Sequence, residues 1–67
     1  MNNKIKFVRV YEGYGSTFCD IIYNCGRAVT KTLEDAPNTV KTFIENAPIV
    51  TEQFDYVFKR KETIYEM

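Results

Sequence analysis

Two cysteines, a single serine and no histidine make up the nucleophile inventory of this 67-residue chain. Without histidine there is neither the commonest general base at neutral pH nor the commonest zinc ligand. Ser16 closes a Glu12-Gly13-Tyr14-Gly15-Ser16 segment with no imidazole to activate it, so its hydroxyl is expected to bond the turn backbone. Cys19 and Cys25 stand six residues apart. That is about 20 Å along a strand or about 9 Å up a helix, beyond the roughly 7 Å Cα limit of a disulfide unless the chain turns back between them. Two thiolates cannot complete a tetrahedral zinc site within one chain, although a dimer supplying four could. Both cysteines are expected as buried, reduced thiols in a reducing cytosol.

The acidic residues at 34–35, 45 and 52–55 read as solvated surface rather than as an acid/base pair. Gly13-Tyr14-Gly15-Ser16-Thr17 has glycines that could approach a phosphate, but Phe18 stands where a dinucleotide loop carries its third glycine, and no Walker lysine follows. The expectation is a non-enzymatic protein with no catalytic residue, no metal and no cofactor.

Binding chemistry is better represented. The glycine turn lifts Tyr14 toward solvent with Tyr11 close by, and exposed tyrosines supply contact area at low entropic cost. Tyr11, Tyr14 and Tyr65 are therefore the expected protein-contacting residues. Nine basic and nine acidic residues leave a net charge of zero, which argues against a protein that coats polyanions. The distribution is uneven nonetheless: residues 1–11 carry Lys4, Lys6 and Arg9 with no acid, residues 34–55 carry a net charge of −4, and Lys59-Arg60-Lys61 follows. If the first strand lies beside the last, those six cations would merge beside the tyrosines, a combination that suits single-stranded nucleic acid. The structural alternative is a row of cations guarding a sheet edge.

These residues need elements to hold them. Lys4 to Tyr11 alternate, with Ile5, Phe7, Arg9 and Tyr11 on one side and Lys4, Lys6, Val8 and Val10 on the other, which predicts a strand. Residues 17–25 fit both periods, Cys19/Ile21/Tyr23/Cys25 at two and Phe18/Ile21/Ile22/Cys25/Val29 at the helical spacing. Propensity and the turn-like Asn24-Cys25-Gly26 favour a strand over 17–24, with a third strand over 27–33. Asp35 or Asn38 can cap a helix through 39–46, with Pro37 in its first turn, an apolar face of Ala36, Val40, Phe43, Ile44 and Ala47, and Pro48 as its stop. Phe54, Tyr56 and Phe58 predict a further strand, 59–61 a charged break, and 63–67 a short returning strand or tail.

The predicted order βββαβ(β) is one small two-layer α+β domain over residues 1–67, an antiparallel sheet of four to five strands with a helix on one face. The alternative is β-α-α-β with residues 16–33 helical. So short a chain is near the lower limit for a self-sufficient core, and a homodimer or a partner's surface would relieve the shortage. No run reaches the roughly 18 apolar residues of a membrane span, and Met1-Asn2-Asn3-Lys4 lacks the apolar core of a signal peptide, so no membrane partner and a cytoplasmic location are expected. An excess of Phe, Tyr, Met, Ile, Asn and Lys over Gly, Ala, Arg and Pro suggests AT-rich coding DNA, common in low-GC bacteria and their phages and mobile elements. The expected function is occupation of a partner protein's surface as an inhibitor or accessory protein, with nucleic-acid binding through Lys4, Lys6, Arg9, Lys59, Arg60 and Lys61 as the alternative.

Overall fold

Alternating apolar and polar side chains produce three consecutive antiparallel strands, β1 (Ile5–Gly13), β2 (Ser16–Tyr23) and β3 (Ala28–Thr32), in the computed structural model, which describes residues 4–67. They are followed by α1 (Asn38–Asn46), β4 (Ile49–Asp55) and β5 (Arg60–Glu66). The sheet order is β3-β2-β1-β5-β4 and every neighbouring pair is antiparallel. The chain is thus a small α+β protein of order βββαββ. Residues 16–33 hold two strands, which sets aside the helical alternative: the turn at Asn24-Cys25-Gly26, with Gly26 at φ 92°, breaks any helix there and lets β3 return on β2. Met1-Asn2-Asn3, read above against a signal peptide, lies outside the described residues. Among the described residues no helix is long and apolar enough to cross a membrane.

One face of the sheet is covered by α1. Val8, Cys19 and Ile21 from the strands meet Ala36 and Val40 to form the fully buried core, with Ile5, Val10, Tyr23, Leu33, Phe43 and Ile44 packed around it. Phe43 is half-buried at the margin of this core rather than at its centre. The strict alternation expected for residues 4–11 fails at one point. Ile5 pairs with Tyr23 while Phe7 pairs with Ile22, so Lys6 is an extra, bulged residue. The bulge rotates Ile5 onto the helix side, away from Phe7, Arg9 and Tyr11, which stay on the uncovered face.

The entry to α1 also departs from expectation. Pro37 is the N-cap residue itself (φ −59°, ψ 155°), and among the described residues no side chain makes a capping bond, so neither Asp35 nor Asn38 serves as the cap. Pro37 has an extended ψ that keeps it outside the helix, and its carbonyl instead receives the amides of Val40 and Lys41 at 3.0 and 3.2 Å. At the other end Ala47 is extended (φ −65°, ψ 120°), as a residue before Pro48 must be.

The last hairpin is displaced relative to the alternation of Phe54, Tyr56 and Phe58. β4 begins at Ile49 and ends at Asp55, Tyr56 to Lys59 form the turn, and Arg60 and Lys61 belong to β5 rather than to a break. The Asp55 carboxylate decides this: its Oδ1 accepts the amides of Val57 at 2.9 Å and Phe58 at 3.1 Å, and Lys59 adopts φ 53° to rejoin the sheet.

Candidate functional site

Two hairpin tips lie at the same end of the sheet, because β1 and β5 are antiparallel neighbours with Tyr11 opposite Glu62. In the first, Gly13 pairs with Ser16, leaving a two-residue loop of Tyr14 (φ 51°) and Gly15 (φ 76°). Positive φ at both positions is the hairpin turn that matches strand twist, and its first position favours Asn, Asp or Gly. A tyrosine there costs about 1 kcal/mol of backbone strain. Its side chain recovers none of that by packing, being 102% exposed.

The second tip presents Tyr56, Val57 and Phe58, exposed by 82%, 84% and 66%. Tyr56 leans edge-on against Phe54, ring centroids 4.9 Å apart. Between the tips runs a cleft of about 410 Å³, lined by Tyr11, Tyr14, Phe18, Phe58, Lys59 and Arg60 among others. Tyr11 and Phe18 stack at 6.0 Å, and the Arg60 guanidinium lies 3.5 Å from the Tyr11 ring centroid and 4.6 Å from that of Phe58. Aromatic faces with a cation between them form a firm apolar floor.

Two carboxylates on the uncovered face fix that floor. Asp20 accepts from Thr30 Oγ1 at 2.7 Å, Tyr11 Oη at 3.0 Å and Arg9 Nε at 3.1 Å. Burial alone would push its carboxyl up, yet these three donors and the Arg9 charge hold it below the usual range. Tyr11 shifts the other way, raised by burial and by its bond to the Asp20 carboxylate. Glu62, 1% exposed, accepts from Gln53 Nε2 at 2.9 Å and Arg60 Nε at 2.8 Å. Each acid accepts on both of its oxygens, and among the described residues no buried side-chain polar atom lacks a partner. Such carboxylates position their neighbours.

Tyr11 and Tyr14 do line one cleft. Tyr65 does not join them: it pairs with Val8 and Val50 on the helix side, half-buried, because residues 62 and 65 of one strand point to opposite faces. Similarly, β1 lies beside β5, but their antiparallel course sets Lys4 and Lys6 at one end and Lys59, Arg60 and Lys61 at the other. Arg9 is paired with Asp20 at 3.0 Å, Arg60 with Glu62 at 2.8 Å and Lys61 with Glu52 at 2.9 Å.

Cys19 is buried in the core, its thiol pushed up chiefly by burial, whereas Cys25 is exposed in the β2–β3 turn rather than buried. Neither forms a disulfide. Among the described residues no group of three metal-ligating side chains gathers.

Sequence reasoning missed Tyr56, Val57 and Phe58 as a surface because alternation assigned them to a strand. The available signal was Asp55, a residue whose carboxylate folds turns, set before a solid apolar triplet and a basic triplet. Compared with protein-family models, with curated proteins and with solved structures, the chain shows no significant match to any of them.

Proposed function

We propose that this chain is a non-enzymatic protein-binding module that works by laying its two hairpin tips on a partner protein, as an inhibitor or accessory protein in the cytoplasm. The observation that carries this reading is Tyr14: a large aromatic residue, wholly exposed, placed where the turn geometry prefers Asn or Gly. A residue that costs stability and packs against nothing in its own chain has its use outside it. Tyr56, Val57 and Phe58 extend the same surface, and aromatic anchors around a cleft are the composition of interface hot spots. Free thiols suit a reducing compartment.

The test is affinity capture from the cell of origin, with and without nuclease, using the full chain and the Tyr14→Ala and Phe58→Ala variants. A nuclease-resistant partner should be retained by the parent chain and lost with either variant, each costing about 2 kcal/mol of binding. Capture that survives both substitutions would overturn the reading. The nucleic-acid alternative demands nuclease-sensitive capture, weakened by salt and by neutralising Lys59.

A further inference from the structure

The two edges of the sheet are unlike. β3 is a five-residue edge with the exposed Lys31 in it, a short and charged strand of the kind that resists edge-to-edge pairing. β4 is longer, and its exposed charge, Glu52, is already held by Lys61 of β5. Ile49, Val50 and Phe54 are 49%, 54% and 48% exposed, and among the described residues β5 is its only strand neighbour. Its odd residues Ile49, Thr51 and Gln53 lie on the uncovered face and its even residues Val50, Glu52 and Phe54 on the helix side, where α1 packs over β1 and β5 instead. Apolar groups on both faces of one edge strand call for continuation of the sheet, not for a flat lid.

We infer that β4 is the edge through which two copies of this chain associate, antiparallel across a two-fold axis that runs perpendicular to the sheet, midway between the two Glu52 residues. The sequence of β4, Ile-Val-Thr-Glu-Gln-Phe-Asp, has the symmetry that such an axis requires. Val50 of one copy faces Phe54 of the other, twice, and Thr51 faces Gln53, twice, so aromatic meets β-branched and polar meets polar. Sliding the register by two residues sets Val50 or Phe54 against Glu52, and sliding it by one opposes side chains from different faces, so this register is the one that keeps like with like over the central residues 50–54, with Ile49 meeting Asp55 only at the strand ends. The two Glu52 carboxylates meet on the axis. Each is already held by its own Lys61 at 2.9 Å, which leaves the four groups with no net charge. A foreign strand would need no such symmetry. The guarded β3 edges then form the outer rims, and assembly closes at two copies with ten strands rather than growing.

The full chain under reducing conditions should sediment as a dimer. Val50→Lys and Phe54→Lys should each weaken association by about tenfold or more with unchanged circular dichroism, since both side chains are half-exposed. Glu52→Gln should weaken it, because it leaves two uncompensated Lys61 ammonium groups at the axis. The axis itself is read by cross-linking in a Cys25→Ser background. A residue on a two-fold axis faces its own copy at a Cα separation of about 4.5–5.5 Å, within disulfide reach, so Glu52→Cys should oxidise to a covalent dimer while Gln53→Cys should not. A chain that stays monomeric up to about 200 μM, a dimer indifferent to Phe54→Lys, a larger open oligomer, or cross-linking at 53 in preference to 52 would each overturn the proposal.

Discussion

β2 and β4 draw on the same kinds of residue and meet opposite fates. Thr, Phe, Ile and Tyr in the first and Ile, Val, Thr and Phe in the second all favour a pleated strand. β2 lies between β1 and β3, and its centre, Cys19-Asp20-Ile21, is buried on both faces at once. Among the described residues β4 has a strand neighbour on one side only, and none of its residues is fully buried. The comparison teaches that propensity makes a strand and neighbours decide what the strand is for. The β1–β3 strands supply most of the buried core, whereas the β4 hairpin and the Tyr14 tip stay largely exposed.

That division predicts an ordered set of effects. The largest is expected at Ile21, wholly buried: Ile21→Ala should cost about 2–5 kcal/mol, a large part of the stability of so small a protein, read by urea unfolding. A loss below about 1 kcal/mol would mean that the core lies elsewhere. Next comes Asp20→Ala, which strands Thr30, Tyr11 and Arg9 and should cost about 2–3 kcal/mol in the same assay.

The Asp20 anchor also gives stability a pH dependence with a definite sign. A carboxyl whose folded pKa is depressed contributes stability that is full above its unfolded value near ~4 and is lost as pH falls through that value toward the folded one. Tyr11, raised by burial and by Asp20, contributes below ~10 and loses its contribution as pH rises further. Thermal melting should therefore plateau between these limits, and Asp20→Asn should shrink the acid-side loss. An acid limb unchanged in that variant would contradict the anchor.

Smaller effects fall on the other half. Tyr14→Asn should stabilise the hairpin by about 0.5–1 kcal/mol, because Asn tolerates the left-handed backbone that tyrosine does not, while partner capture declines. A destabilising result would show that the ring packs within its own chain. Val57→Ser should be the mildest, within about 0.5 kcal/mol in unfolding, as expected for a side chain that touches little.

Local chemistry was legible in the residues themselves. Period-two alternation marked β1 and β3, strand propensity and the Asn24-Cys25-Gly26 turn favoured β2, the spacing of Val40, Phe43 and Ile44 between two prolines marked α1, glycines marked the first two turns, and the absence of histidine narrowed the chemistry. These are short-range effects, governed by φ/ψ preference and by side-chain period within a few residues. The tertiary structure alone decided the rest. One bulged residue, Lys6, moved Ile5 to the other face; one carboxylate, Asp55, moved a turn and turned Tyr56, Val57 and Phe58 from a strand into a tip. Antiparallel pairing of β1 with β5 parted the basic residues that a first strand beside the last was expected to merge, and the one-residue offset between faces parted Tyr65 from Tyr11. Which strand becomes an edge, and which charge finds a partner, depends on contacts between residues far apart in the chain, and no local period encodes those.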